Sequence, residues 1–120
     1  MELLCMMKEI QRAMNAFEEE LMSSHHVCLN EALVLCCLEE DSLSASEISD
    51  KTSLSNSNAS KVIRCVEEKE LIKRVLGKKD KRQMYFKLSE KGKIKLNKIK
   101  SENLKIPVIF ESIVNKCSHE

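Results

Sequence analysis

Residues 43–92 read LSASEISDKTSLSNSNASKVIRCVEEKELIKRVLGKKDKRQMYFKLSEKG. The fold is decided within this stretch. Ser44-Ala45-Ser46-Glu47 fits a capping box, in which the Ser44 hydroxyl accepts a backbone N–H three residues on and Glu47 reaches back to the Ser44 amide. Ile48 gives the short helix that follows an inward residue. Thr52-Ser53 is poor in helix formers and ends it. Leu54 is then placed to plug the gap before a second helix, which Ser55 caps.

That second helix has two faces. Ala59, Val62, Ile63 and Val66 recur at spacings of three and four, the signature of one apolar side, with Leu71 and Ile72 continuing past its end. The other side carries Ser57, Asn58, Ser60, Lys61 and Arg64. An ordinary solvated helix surface would also be polar. Short hydroxyl and amide side chains, however, let a helix sit deep in a groove, and Asn pairs bidentately with adenine. The unpaired N–H groups of the first turn, behind Ser55, suit a phosphate.

Leu71–Leu76 is apolar and partly β-branched, and it stops at Gly77. Gln83–Leu88 alternates strictly, with Met84, Phe86 and Leu88 on one face and Gln83, Tyr85 and Lys87 on the other. Between the two runs, Gly77-Lys78-Lys79-Asp80-Lys81-Arg82 holds four cations in six residues. Alone, such a loop would be a solvated charge run. At a hairpin tip beside two capped helices it is better explained as a wing laid on phosphates, with Lys81 or Arg82 reaching an adjacent minor groove. The plan is a winged helix-turn-helix, in which the second helix enters the major groove. The fold class expected is mainly α (α+β).

The order Ser-x-x-Glu-Ile from Ser44, Leu54-Ser55-x-Ser57-x-x-Ser60-Lys61, Leu71-Ile72-x-Arg74, Asp80-x-Arg82 and Leu88-Ser89-x-x-Gly92 resembles the multiple-antibiotic-resistance regulator (MarR) family of bacterial transcription factors. The match covers about half the chain. The resemblance implies that Asp80 orients Arg82 and that Arg82 contacts the minor groove. It puts the recognition-helix contacts on Ser57, Asn58, Ser60, Lys61 and Arg64, and the full DNA-contacting set adds Ser55, Arg74, Lys78, Lys79 and Lys81. It implies a homodimer built from helices at both termini, and release of DNA by a small-molecule effector held between the dimer helices and the DNA-binding lobes. Glu70 departs from the pattern, because the family usually closes this helix with glycine. A residue with a side chain must there adopt a left-handed conformation at some cost, or the helix must end differently.

At 120 residues the chain is one domain, with 1–22 and 93–120 expected as dimerisation helices and 27–92 as the lobe. Only two Gly and one Pro leave little room for long loops. No apolar run reaches the length of a membrane span, and the short Leu3–Met7 run, followed at once by charge, does not suit a signal peptide. Six cysteines, at 5, 28, 36, 37, 65 and 117, show no CxxC spacing and suit reduced thiols in the cytoplasm. The net charge of +1 conceals its distribution: residues 1–60 carry −8, residues 61–100 carry +10 and residues 101–120 carry −1. A positive excess confined to the second helix, the wing and the helix after it is the footprint of a DNA face.

Outside the lobe, Leu3, Met7, Ile10, Met14, Phe17 and Leu21 recur at 4-3-4-3-4, a heptad stripe on a helix over 3–22. The stripe fits either the chain's own core or a second copy, and the resemblance favours the second copy. Ser23–His26 reads as a break, Val27–Glu40 as a helix and Leu43 as one short strand pairing with the wing. Residues 93–104 read as a helix. Pro107 breaks it or starts the last one, in which Val108, Ile109, Phe110, Ile113 and Val114 would complete the dimer interface.

No nucleophile–base pair, phosphate loop or paired carboxylates stand out, so no enzyme and no cofactor are expected. His25, His26 and Cys28 with Cys117 and His119 would make a zinc site only if the chain ends meet, and H-H-x-C is not a standard ligand spacing. Cys5 would act as a redox sensor only if exposed and of lowered pKa, and no basic residue lies closer than Lys8. The rivals to a DNA-binding regulator are therefore a winged-helix module that binds protein, and a thiol- or metal-sensing regulator.

Overall fold

The computed structural model describes residues 2–77 and 82–101. Its elements run α1 (Leu3–His25), α2 (Leu29–Cys37), β1 (Leu43–Ser44), α3 (Ala45–Thr52), α4 (Asn56–Glu68), β2 (Ile72–Leu76), β3 (Met84–Leu88) and α5 (Glu90–Ser101). The strands form one antiparallel sheet in the order β1-β3-β2. Leu43 pairs with Phe86 on one side of β3, and Arg74 pairs with Phe86 on the other. The expected winged helix-turn-helix is present, and Leu43 does add the short third strand.

The caps explain most of the boundaries. At Ser44 both arms of the box form: the hydroxyl accepts from the Glu47 N–H at 3.3 Å, and Glu47 Oε1 accepts from the Ser44 N–H at 3.0 Å. That second bond holds the Glu47 carboxyl below the ordinary carboxylate pKa. The Ser55 hydroxyl accepts from the Asn58 N–H at 3.1 Å. Ser53 closes α3 in the left-handed region, at φ 62°. The turn between α3 and α4 is held by the Ser49 hydroxyl, which donates to the Leu54 carbonyl at 2.6 Å.

Three helices have ends that differ from the sequence reading. α1 runs through Ser23–His25, which lower helix propensity without forbidding a helix, and the break falls at His26, which is left-handed at φ 59°. α2 begins at Leu29, because Glu31 Oε1 accepts from the Cys28 N–H at 3.0 Å. It ends at Cys37, where the Leu38 N–H turns back to the Leu35 carbonyl at 3.2 Å. α5 starts three residues early, at Glu90, because the Ser89 hydroxyl accepts from the Gly92 N–H at 3.0 Å and acts as a cap. The predicted last helix, with Val108, Ile109, Phe110 and Ile113, lies outside the described residues, as does Pro107.

Val34, Leu35, Ile48, Val66, Leu71, Phe86, Leu88 and Leu96 meet in one core beneath the helix-turn-helix and the sheet. Leu21 is 1% exposed, so the last residue of the predicted dimerisation stripe is already covered by its own chain.

Candidate nucleic-acid interface

The outer face of α4 follows from its inner one. With Ala59, Ile63 and Val66 turned into the core, Ser57, Asn58, Ser60, Lys61 and Arg64 are all exposed along the opposite side. Ser55 sits at the helix start, also exposed, and its carbonyl accepts from the Ala59 N–H at 2.8 Å. A short polar N-terminal half followed by two cations is a surface that fits a groove first and a phosphate row second.

The junction from α4 to the wing answers the question posed by Glu70. Its φ is 63°, so it takes the left-handed conformation despite its side chain. The Glu70 N–H donates to the Glu67 carbonyl at 2.9 Å, and the Leu71 N–H donates to the Val66 carbonyl at 2.9 Å. These two bonds are a Schellman closure. The apolar contact that accompanies such a closure is supplied by Leu71 and Val66, both buried. The Ser89 hydroxyl donates to the Glu70 carbonyl at 2.7 Å and adds a tie from beyond the wing.

Arg74 does not stand out from β2 as a loose cation. Its Nε donates to Glu67 Oε2 at 2.6 Å and its Nη2 to Glu67 Oε1 at 3.2 Å, while its guanidinium carbon lies 5.7 Å from the centre of the Phe86 ring. The Glu67 carboxylate pushes the Arg74 pKa further up. Arg82 is exposed at the start of the return strand. Lys78, Lys79, Asp80 and Lys81 lie outside the described residues. Across the hairpin the Gly77 N–H donates to the Gln83 carbonyl at 3.1 Å, so the strands are joined up to the loop that carries these cations.

A second set of contacts ties the lobe to α1, and sequence spacing gave no sign of it. Glu31 is buried, and Lys69, just past α4, donates to its Oε2 at 2.7 Å and to the His26 carbonyl at 2.9 Å. Lys95 of α5 donates to the His25 carbonyl at 2.9 Å. Two lysines thus complete the C-terminus of α1, where cations are favoured. Burial alone would raise the Glu31 pKa; the Lys69 ammonium and the Cys28 N–H outweigh it and leave the carboxyl below its ordinary value.

The thiols and histidines show no such convergence. Cys5 is exposed, with its Sγ 4.0 Å from the Glu2 carboxylate. Burial pushes the Cys37 thiol up to about 11 and raises Cys28 as well. No three His, Cys, Asp or Glu side chains among the described residues are placed to hold a metal ion. Cys117 and His119 lie outside those residues. No helix among them is long and apolar enough to cross a membrane.

Solved structures share this fold. The DNA complex of MepR from S. aureus is 17% identical and superposes with a TM-score of 0.74, over 99% of this chain and 84% of that one. BldR from Sulfolobus solfataricus, a transcriptional regulator, is 18% identical at a TM-score of 0.69, covering 98% and 94%. AbsC, a MarR family regulator from Streptomyces coelicolor, is 21% identical at 0.66, covering 81% and 70%. The likeness to the MarR fold expected from the motifs is therefore present. No curated protein sequence matches the chain significantly. The family model of the transcriptional regulator SarA/Rot matches residues 16–99, from within α1 to within α5. With well over half its length matched across the helix-turn-helix and the wing, the chain belongs to the SarA/Rot family of transcriptional regulators.

Proposed function

We propose that the chain binds double-stranded DNA in a sequence-specific manner, as a homodimer on a pseudo-palindromic operator. The observation that carries this is the exposed face of α4, where Ser57, Asn58, Ser60, Lys61 and Arg64 stand together on the helix that the fold uses to enter a major groove. Arg82 and the wing cations Lys78, Lys79 and Lys81 supply backbone and minor-groove contacts, with Asp80 orienting Arg82. MepR, of the same fold, has been solved on DNA.

The second copy is supported by α1. Leu3 is 67% exposed, Met7 56% and Met14 44%, and at heptad spacing they line one side of the helix, as a surface covered by a second copy would. Charge agrees with it: α1 is acidic at Glu9, Glu18, Glu19 and Glu20, whereas α5 carries Lys91, Lys93, Lys95, Lys98 and Lys100. The apolar run Val108, Ile109, Phe110 and Ile113 belongs to the same proposed interface. Release by a small-molecule effector is the remaining part of the reading. It is supported by the fold alone, which a MepR-like protein complexed with pseudoligands shares at a TM-score of 0.74 and 20% identity.

The test is selection of the purified protein against a random duplex pool at near-physiological salt, followed by sequencing of what is retained. An inverted repeat with half-sites about one helical turn apart is expected. Affinity for that duplex should fall steeply with salt, as displaced counterions require. Arg82→Ala should weaken binding by about 1–3 kcal/mol. Retention without a motif would reduce the role to non-specific packaging, and no retention would favour a protein-binding winged helix.

A further inference from the structure

A groove of about 220 Å³ runs between α4 and the wing, lined by Ser60, Arg64 and Glu67 on one side and Arg74 and Phe86 on the other. Ser60, Arg64 and Glu67 follow each other at four and three residues, so they share one stripe of α4. Two of these are on the face proposed for DNA. The third is a carboxylate, which phosphates would repel. A negative charge at the edge of such a face needs another reason to be there.

Its partner supplies the reason. The Glu67 and Arg74 side chains meet in a two-pronged pair, at 2.6 and 3.2 Å, and Arg74 lies over the Phe86 ring directly across the ladder on β3. A planar guanidinium held at both ends of a carboxylate has a fixed direction as well as a charge. Apart from this pair, α4 and the wing are joined by the turn at Lys69–Leu71, by the shared core of Ile63, Val66, Leu71 and Phe86, and by the Ser89 tie to the Glu70 carbonyl. The pair adds an attachment on the outer surface, between Glu67 two residues before that turn and Arg74 three residues after it, and a directional contact there restrains the angle between the two elements.

We propose that Glu67 and Arg74 are positioning residues for DNA binding, fixing the wing relative to α4 so that both reach one duplex together. The inference rests on the DNA-binding reading above. It removes Arg74 from the set of phosphate ligands and adds Glu67, which the sequence did not mark.

The experiment uses the duplex enriched by the wild-type protein and the full-length variants Glu67→Gln, Arg74→Lys and Arg74→Ala. Glu67→Gln is expected to weaken binding about threefold or more, although it removes a negative charge. Arg74→Lys, which keeps the charge and loses the two-pronged geometry, should behave like Arg74→Ala. The salt slope of Arg74→Ala should equal that of the wild type. Tyr85, the sole tyrosine in a chain with no tryptophan, sits in β3 and reports on the free protein. Its time-resolved fluorescence anisotropy should decay faster in all three variants, before any DNA is added. Equal or tighter binding by Glu67→Gln, a salt slope reduced by about one in Arg74→Ala, rescue by Arg74→Lys, or an unchanged Tyr85 decay would each overturn the positioning role. If the wild type itself enriches no duplex, the DNA-binding reading fails first, and that result is seen before any variant is made.

Discussion

α1 and α4 carry the same kind of apolar stripe, and the molecule uses the two in opposite ways. On α4, Ala59, Ile63 and Val66 are 1%, 4% and 0% exposed. On α1, Leu3, Met7 and Met14 remain largely open, and only Leu21 and His25, at its end, are buried. Spacing identifies the side of a helix that wants to leave water. It does not say whose atoms will cover that side. The lobe is thus a finished core, and the first part of α1 is an apolar side that the described residues leave exposed.

In the finished part, Gly92 is packed directly against the backbone of Leu71. A β-carbon there would sit 1.9 Å from the Leu71 carbonyl oxygen and 2.9 Å from its carbon, and both are backbone atoms that cannot swing aside. The same oxygen accepts from the Ser89 N–H at 3.0 Å, so moving it would also disturb the start of α5. Gly92→Ala is expected to cost about 3 kcal/mol, read from the midpoint of urea denaturation. A shift within error would mean that the wing–α5 junction is not part of the cooperative core.

That glycine was visible in the sequence only as the end of a motif, and its reason was not. The same holds elsewhere. Capping at Ser44 and Ser55, the alternation of Met84–Leu88 and the strand at Leu43 are local, so each could be read from neighbours within a few residues. Lys69 with Glu31 and Arg74 with Glu67 are meetings of different elements, and no periodicity encodes them. At the candidate interface the exposed residues of α4 were legible because an amphipathic helix shows both its sides. The pairing of Arg74 with Glu67 was not, since a cation in a strand reads the same whether it faces solvent or a carboxylate.

The Lys69 contacts lie on the border between the two regions, and they carry the next largest effect. Lys69→Met would leave the buried Glu31 carboxylate and the His26 carbonyl without their donor, a loss of about 1–3 kcal/mol. The pH dependence has a definite sign. Because the Glu31 pKa is lowered on folding, its contribution is present above the ordinary value of 4.5 and disappears as pH falls through the lower folded value. The gap between wild type and Lys69→Met should therefore narrow on acidification below about pH 4.5, to the share carried by the bond to the His26 carbonyl. A constant gap between them down to acid would assign the loss to packing of the lysine stem instead.

Glu70→Gly tests the lobe in the other direction. The left-handed φ of 63° strains any residue with a β-carbon, and glycine removes that strain while adding some unfolded-state entropy. A net gain of about 0.5–1 kcal/mol is expected, with the Schellman bonds retained. A loss instead would show that the Glu70 side chain makes a contact worth more than the strain it imposes.

The smallest effect on the lobe should come from the residues that look most hydrophobic. Met7→Glu with Met14→Glu replaces two exposed side chains on α1 by residues of similar helix propensity. The fold of one chain should therefore hardly respond, within about 0.5 kcal/mol. What should change is the dependence on concentration. If a second copy covers this side, the wild-type Tm rises with protein concentration by mass action and that of the double variant does not, so the two meet at high dilution. Sedimentation of the same samples gives the mass directly. Equal Tm values and equal masses at every concentration would mean that α1 is not covered by a second copy. The charge asymmetry between α1 and α5 would then need another explanation, because an acidic helix beside a basic one draws two copies together only where their apolar sides can also meet.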